Sequence, residues 1–592
     1  MKYKKQIQLI AAIVTLIVFP VITFYLMEAY THNPFEEVRP WAQFFNILLF
    51  ELLAWIFVSV TGKIQSGLRI ELVTAMIYGI ANAYVVRFRT NPIVPWDIFS
   101  WKTAASVASN YDFKPDIRMI VVTLAFLGMI VLLQFVKTGM PKFQLWKRLI
   151  PAGACCIVLV LFVNLLQDED FQTGHRLYPF LFTPAFMTQV NGMAVTFAMD
   201  LAYMTVEKPA GYDAVKEQAL LESYAGQEDD TDSSEKKEEL PNIIVVMNES
   251  FSDLNVLGDF TTNEDYMPYL HSLQNGAVNT VTGYLNVSVC GGNTANTEFE
   301  FLTGNSMAFL PQGSIPYQQY ITKELPALPA YLASLGYETV ATHPYYADGW
   351  DRDKVYPLLG FSESIFKDQY WGAGYVRKYV SDNSCVDKII ELYEKKEEGT
   401  PLFVFNVTMQ NHGGYSDTYD NFTPDITVEG TPLSQYLSLV RLSDQALEKL
   451  ISYFEEADEK TIVVFFGDHQ PNDTVAAPIL NLNGMTTKTL TEDQLKLRYE
   501  VPYVIWANYD IDAESGKDTS ANYLAADVLH YAGISENAYG SYLLELQRNY
   551  PVISAMRVLT KDGLDTNSSS LKQELKDYQS LQYYQLFDWK KE

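Results

Sequence analysis

Thr461-Ile462-Val463-Val464-Phe465-Phe466-Gly467-Asp468-His469, written TIVVFFGDH, joins six residues of strand character to a glycine, a carboxylate and an imidazole. An unbroken β-branched and aromatic run this short predicts a strand covered on both faces, as in a parallel sheet. Gly-Asp is also ordinary turn chemistry and would end a strand unaided. The pattern recurs, however. Asn242–Met247 (NIIVVM) stops at Asn248-Glu249-Ser250, Glu338–Thr342 (ETVAT) stops at His343, and Leu402–Val407 (LFVFNV) leads to Asn411-His412. Amphipathic helical patterns separate the runs, so residues 241–592 read as an α/β domain with a mainly parallel sheet flanked by helices. In open parallel sheets the loops beyond the carboxyl ends of the strands converge on the ligand. Four such ends would offer Glu249, His343, His412, Asp468 and His469 to one crevice. Three of the seven histidines in the chain sit at these ends.

The N-terminal part is a different material. Residues 1–166 carry apolar runs near the ~20 residues that a bilayer span needs. They predict five spans, Ile7–Met27, Trp41–Val60, Leu72–Val86, Met119–Val136 and Leu149–Leu166. Lys2, Lys4 and Lys5 precede the first span, Lys63 and Arg69 precede the third, and Lys137, Lys142, Lys147 and Arg148 precede the fifth. The positive-inside rule makes these segments cytoplasmic and places the C-terminal domain outside the cell membrane. Arg87, Arg89, Lys102, Lys114 and Arg118 argue against this from the outer side; Arg87 and Arg89 there suggest a seat for an anionic lipid headgroup. Residues 167–240 form a connector, with an amphipathic helix expected over Met187–Met204, lying along the membrane surface or packed on the soluble domain, and a charged linker over Gly226–Leu240 (GQEDDTDSSEKKEEL).

The first 166 residues hold 15 Lys and Arg against 8 Asp and Glu, a balance of +7 in a chain of net charge −28, which leaves −35 for the remainder. Such an acidic domain excludes nucleic acid as a partner and requires a local cluster or a metal to hold any anionic substrate. Cys155 and Cys156 fall in a predicted span, leaving Cys290 and Cys385 outside, too few for a disulfide framework.

One further stretch bears on chemistry. Val289–Glu300, VCGGNTANTEFE, opens a helix with glycines and offers Asn293 or Thr294 as the cap. The same free amides can seat a phosphate, with the capping hydroxyl as nucleophile. Glu249, Asp468 and His469 with a threonine oxygen make an oxygen-rich set with one nitrogen, suited to Mn2+ or Mg2+ and compatible with Zn2+. A metal at Thr294 would stabilise the alkoxide. Thr297, one turn further on, is the competing nucleophile. In Trp350-Asp351-Arg352-Asp353-Lys354, Arg352 could clamp a phosphate and Trp350 could pack on a small polyol; a solvated charged turn is the plain alternative.

At these residues the chain resembles the lipoteichoic acid synthase and membrane phosphoglycerol transferase family, of alkaline phosphatase/sulfatase-like fold. The resemblance rests on Asn248-Glu249-Ser250, Gly292-Asn293-Thr294 with Glu298-Phe299, His343 with Trp350 and Arg352, Asn411-His412, and Gly467-Asp468-His469-Gln470-Pro471. It covers the whole length. It implies a Mn2+ site of Glu249, Thr294, Asp468 and His469, Thr294 as the catalytic nucleophile, and His343, Trp350, Arg352 and His412 as substrate-binding residues. The implied donor is phosphatidylglycerol, with diacylglycerol released and glycerophosphate passed to a glycerophosphate polymer, glycolipid or glycan acceptor. Many members carry lysine where this chain has Asn293. A phosphoethanolamine transferase of similar architecture, and a catalytically idle envelope-binding relative, are the competing expectations.

Overall fold

The computed structural model describes residues 2–89, 92–98, 113–136, 145–178, 184–225, 240–311, 314–429, 431–487, 490–564 and 572–590. The linker residues 226–239 lie outside them. The chain divides into two compact units, one of Met1–Ile98 with Asp112–Thr205 and one of Val206–Leu310 with Ser314–Glu592.

The first unit is built on five long apolar helices, α1 (Lys2–Glu28), α2 (Pro40–Thr61), α3 (Ile64–Arg89), α4 (Ile117–Phe135) and α5 (Leu145–Leu166), each containing a stretch long and apolar enough to cross a bilayer. They make this a membrane protein. The third span was expected to begin at Leu72, yet α3 starts at Ile64 and includes Arg69 and Glu71. Glu71 lies buried inside the bundle, which is how a charged residue is carried within a membrane helix. Arg87 donates to the Lys114 carbonyl at 3.0 Å. The single amphipathic helix expected over Met187–Met204 is instead two helices, Pro184–Asn191 and Met193–Asp200, broken at Gly192. Gly192 has φ +78°, and a Cβ there would meet Asn46 Nδ2 at 2.5 Å. Asn46, on α2, donates to the Asn191 carbonyl at 2.7 Å and accepts from the Val195 amide at 3.1 Å. This segment therefore packs into the membrane unit rather than lying as one helix along its surface.

The second unit is organised by one nine-stranded mixed sheet. Its strands are β1 (Asn242–Asn248), β2 (Thr280–Asn286), β3 (Glu338–His343), β4 (Glu363–Phe366), β5 (Leu402–Val407), β6 (Thr461–Gly467), β7 (Glu500–Ala507), β8 (Glu514–Ser515) and β9 (Thr519–Ser520). They lie in the order β8-β2-β7-β6-β1-β5-β3-β4, with β9 also on β2. β7 runs antiparallel to both β6 and β2, and the remaining pairings are parallel. The four strands singled out from sequence are therefore the contiguous parallel centre β6-β1-β5-β3, with their carboxyl ends on one edge.

Strand period explains the layering. Ile243, Val245 and Met247 of β1 face one core, while Ile244 and Val246 face the other. The first core is closed by α6 (Thr294–Thr303) and α8 (Ala521–Tyr531) through Ala295, Phe299, Phe301, Leu524 and Val528. The second is closed by α7 (Ser434–Glu455) through Tyr436, Leu437, Val440 and Leu447. Every residue of α6 is buried, so its polar positions must find partners inside the protein. At the active edge, β1 and β6 pair through Asn248 and Gly467. A Cβ on Gly467 would sit 2.0 Å from the Phe251 carbonyl oxygen.

Candidate active site

The site grows from the paired ends of β1 and β6. Glu249, Asp468 and His469 follow those strands directly, and one ligand atom from each lies within 4.8 Å of the others. Asp468 Oδ1 is held by the amides of Ser250 and His469, both at 2.7 Å. His469 Nδ1 donates to the Gln470 carbonyl at 2.9 Å. A neutral ring making that bond turns its Nε2 lone pair toward Asp468 Oδ2 at 3.2 Å and Glu249 Oε1 at 3.9 Å. Asp468 Oδ2 and His469 Nε2 are buried and have no hydrogen-bond partner among the described residues. Glu249 Oε1 accepts from the Ser250 hydroxyl at 3.2 Å, but Asp468 Oδ2 and His469 Nε2 converge on it unpartnered, and this set of two carboxylates and one imidazole nitrogen fits a cation. Burial and the nearby Asp468 charge push the Glu249 carboxyl well above the ordinary range, and burial likewise raises Asp468.

Thr294 enters from the opposite wall as the first residue of α6. The turn before it needs backbone that side chains resist: Gly291 has φ +73°, and Asn293, at φ +65°, is a residue type that tolerates the left-handed region. Asn293 makes no side-chain cap. The Thr294 hydroxyl lies close enough to Glu249 and Asp468 to favour both ionised forms. Thr297 is otherwise occupied, donating its hydroxyl to the Asp468 carbonyl at 2.7 Å. That bond ties α6 to the β6 loop and leaves Thr294 as the hydroxyl at the helix mouth.

Beyond β3, His343 Nδ1 donates to the Val407 carbonyl at 2.9 Å, so Nε2 accepts from Arg352 Nη1 at 3.2 Å. Burial, then the guanidinium charge, hold the His343 pKa well below its usual value. Arg352 was expected to clamp phosphate with its fork. Its Nε instead donates to Glu298 at 3.0 and 3.3 Å, and its Nη2 pairs with the same carboxylate. Glu298 also accepts from Tyr356 at 2.8 Å and Tyr317 at 3.4 Å. The fork is therefore anchored, and the Nη1 edge is the part turned toward His343. Trp350, at φ +59°, packs half-buried against the core.

His412, beyond β5, has Nδ1 3.1 Å from the Tyr379 hydroxyl. Burial, with Arg377 and His469 nearby, pushes its pKa down to about 3. Arg377 holds this loop from behind, donating Nη2 to the Gln410 and His412 carbonyls at 2.7 Å each and Nη1 to the Gly414 carbonyl at 3.1 Å. Below, Asn248 donates to Asp382 at 2.7 Å and accepts from Asn411 at 3.1 Å, while Ser443 donates to Asp382 at 2.6 Å. Sequence reading did not single out Glu298, Arg377 or Tyr379 for these roles. Only Glu298 left a signal, as an acidic residue four positions after Thr294 on the same helical face.

A sulfatase family model matches residues 241–534. A putative cyclic beta-1,2-glucan modification protein of Rhizobium meliloti is 32% identical over 478 residues, covering 77% of this chain and 72% of the relative. The chain belongs to the sulfatase-type, lipoteichoic acid synthase-like family of membrane proteins. Lipoteichoic acid synthase 1 of Bacillus subtilis is 26% identical over 238 residues, 38% of this chain and 36% of the relative. The solved Streptococcus pyogenes phosphoglycerol transferase GacH, in complex with sn-glycerol-1-phosphate, superposes with a TM-score of 0.50 at 22% identity, over 64% of this chain and 95% of that one. It supports the alkaline phosphatase/sulfatase-like fold of the second unit. This family supports an enzyme, and the chain sets Thr294 at the start of a buried helix and groups Glu249, Asp468 and His469 where they could hold a metal ion.

Proposed function

We propose that this protein is a metal-dependent phosphoglycerol transferase, moving glycerophosphate from phosphatidylglycerol to a hydroxyl acceptor of the cell envelope, of lipoteichoic acid or glycan type. The observation that carries this reading is the placement of Thr294 at the mouth of a fully buried helix, beside two carboxylates and an imidazole that converge with Asp468 Oδ2 and His469 Nε2 unpartnered among the described residues.

In the first step Thr294 Oγ forms a bond to phosphorus while the bond from phosphorus to the diacylglycerol oxygen breaks, and that oxygen leaves with a proton as diacylglycerol. In the second, the acceptor hydroxyl attacks the glycerophospho-threonine, Thr294 Oγ departs, and the acceptor proton returns to the site. Glu249, Thr294, Asp468 and His469 would hold a divalent cation, Mn2+ in this reading with Mg2+ or Zn2+ as alternatives, whose chemistry when bound is to favour the threonine alkoxide. The α6 amides face the phosphoryl oxygens. His412, kept uncharged by burial, lies beside the transferring group, while His343, also uncharged and with both ring nitrogens committed to the Val407 carbonyl and Arg352, acts through Arg352 Nη1, which adds positive charge from that side. Trp350 contributes a wall for the glycerol. The basic segments before the first, third and fifth spans put the N-terminus in the cytoplasm and the catalytic unit outside. The domain limits that follow are 1–166 for the spans, 167–240 for the connector and 241–592 for the catalytic part.

Cys155, Cys156, Cys290 and Cys385 are all free, which separates this chain from a disulfide-rich phosphoethanolamine transferase. The test is reconstitution with headgroup-labelled phosphatidylglycerol or phosphatidylethanolamine. Diacylglycerol release from the first alone, abolished by Thr294→Ala, is the expected result. Unchanged release in Thr294→Ala would overturn the assignment.

A further inference from the structure

Within the membrane unit, a groove of about 540 Å3 opens between the end of α1 and the first turn of α4. Ile22, Tyr25, Leu26 and Ala29 line it at helical spacing, the turn Asn33–Phe35 closes one side, and His32 and Arg118 supply its polar edge. Phe35 is 71% exposed and stacks on Tyr25 at 4.4 Å with an interplanar angle of 9°. Tyr25 is in turn fixed by donating to Gln43 at 2.6 Å. The wall is thus a braced pair of rings. The volume falls in the range of formed small-molecule sites.

Among the residues that line the groove Arg118 alone carries a fixed charge, while Glu37 stands behind the turn and accepts from the Asn33 amide at 3.1 Å. His32 is buried beside Glu28, 3.3 Å away, so its local charge is matched. Arg118 is exposed and donates Nη1 to the Thr31 carbonyl at 2.8 Å, which fixes the guanidinium over the groove. A guanidinium carries five N–H donors, so that bond leaves a charged fork edge available to an anion. Because α1 and α4 both cross the bilayer and the groove lies at their ends, an apolar slot here meets the acyl region while Arg118 meets the headgroup layer. A soluble anion would leave the slot wet. A zwitterionic lipid would bring no net charge to the guanidinium.

We propose that this groove is a seat for one anionic glycerophospholipid, with an acyl chain along Ile22, Leu26 and Ala29 and the phosphate on Arg118. The seat does not depend on the reaction assigned to Thr294. Were that reaction correct, it would hold a lipid of the class the enzyme consumes.

The test is native mass spectrometry of the full-length protein in detergent, titrated with phosphatidylglycerol or phosphatidylcholine. Wild type retains phosphatidylglycerol in preference. Arg118→Gln lowers that retention on the order of 10-fold, to the phosphatidylcholine level, as expected for losing a charge-assisted phosphate contact, and Arg118→Lys keeps part of it. Ala29→Trp, which fills the slot, lowers retention of both lipids. Free sn-glycerol-1-phosphate does not displace the bound lipid. Equal retention of the two lipids by wild type, an undiminished preference in Arg118→Gln, or displacement by free glycerophosphate would each overturn the proposal. Thr294→Ala protein that retains phosphatidylglycerol supports the seat even where wild type releases no diacylglycerol, so failure of the reaction and failure of the seat remain separate results.

Discussion

Replacing Glu298 with glutamine keeps the shape of the side chain and removes the negative partner of Arg352. Both residues are buried, at 0% and 3% exposure, and the carboxylate takes Arg352 Nε at 3.0 and 3.3 Å as well as two tyrosine hydroxyls. An amide at that place turns N–H donors toward a guanidinium that is itself all donors. Breaking a buried pair by removing one partner costs about 3–5 kcal/mol. With an unfolding entropy near 2.1 cal/mol/K per residue, a domain of roughly 350 residues loses about 1.4 °C per kcal/mol, so Tm should fall by about 4–7 °C. The double variant Glu298→Gln with Arg352→Gln leaves two amides that can satisfy one another and should regain most of that loss, because removing both charges also removes their desolvation. Turnover should not return, since the charge beside His343 is gone. Scanning fluorimetry and diacylglycerol release on the same preparations read both quantities. A Glu298→Gln protein melting within about 1 °C of wild type, or a double variant no more stable than the single one, would refute the reasoning.

Three other outcomes follow from the geometry. Adding Mn2+ to chelated protein at about 100 times its Kd should stabilise it by ~2.7 kcal/mol; Asp468→Asn should lose that gain while melting no lower than chelated wild type, since it relieves repulsion between two buried carboxylates. Tyr379→Phe removes the hydroxyl at His412 Nδ1, and steady-state kinetics should show kcat reduced on the order of 10-fold with stability changed by no more than about 1 kcal/mol. His271 is raised to about 9, chiefly by the Asp253 carboxylate 3.7 Å from Nε2 and then by Asp265, which accepts from Nδ1 at 2.9 Å. A raised pKa stabilises the fold fully below the ordinary value of 6.5 and loses that contribution as pH climbs toward 9. With His271 27% exposed the contribution is about 1–2 kcal/mol after screening. The denaturation midpoint should therefore drop more steeply from pH 6 to 9 in wild type than in His271→Gln.

The central sheet was legible because a strand buried on both faces must be apolar at nearly every position, and β1, β5 and β6 are, apart from Asn242 and Asn248, Asn406, and Thr461. The direction of β7 was not. Side-chain burial looks the same in parallel and antiparallel strands, and nothing in Glu500–Ala507 states which way it runs. Helix α3 was cut short in the sequence reading because Arg69 and Glu71 resemble a loop until the bundle that buries Glu71 is known. Within the site, Glu249, Asp468 and His469 were visible as abrupt polar endings to apolar runs. The Glu298 to Arg352 pair was not, since its partners stand 54 residues apart and each reads alone as a surface charge. Arg377 was similarly hidden: it works through backbone carbonyls, which every residue has.

Gly467 carries a last implication. Glu249 and Asp468 spring from strands that are in register at Asn248 and Gly467, and there is no room at that junction for even a methyl group. The bite of the two carboxylates is therefore set by main chain pressed on main chain. Exchanging their side chains alters charge and reach, but the gap that any ion must span is inherited from the scaffold. Tuning this centre by ionic radius would require prying the strands apart, and an alanine in place of a hydrogen atom would be enough to begin.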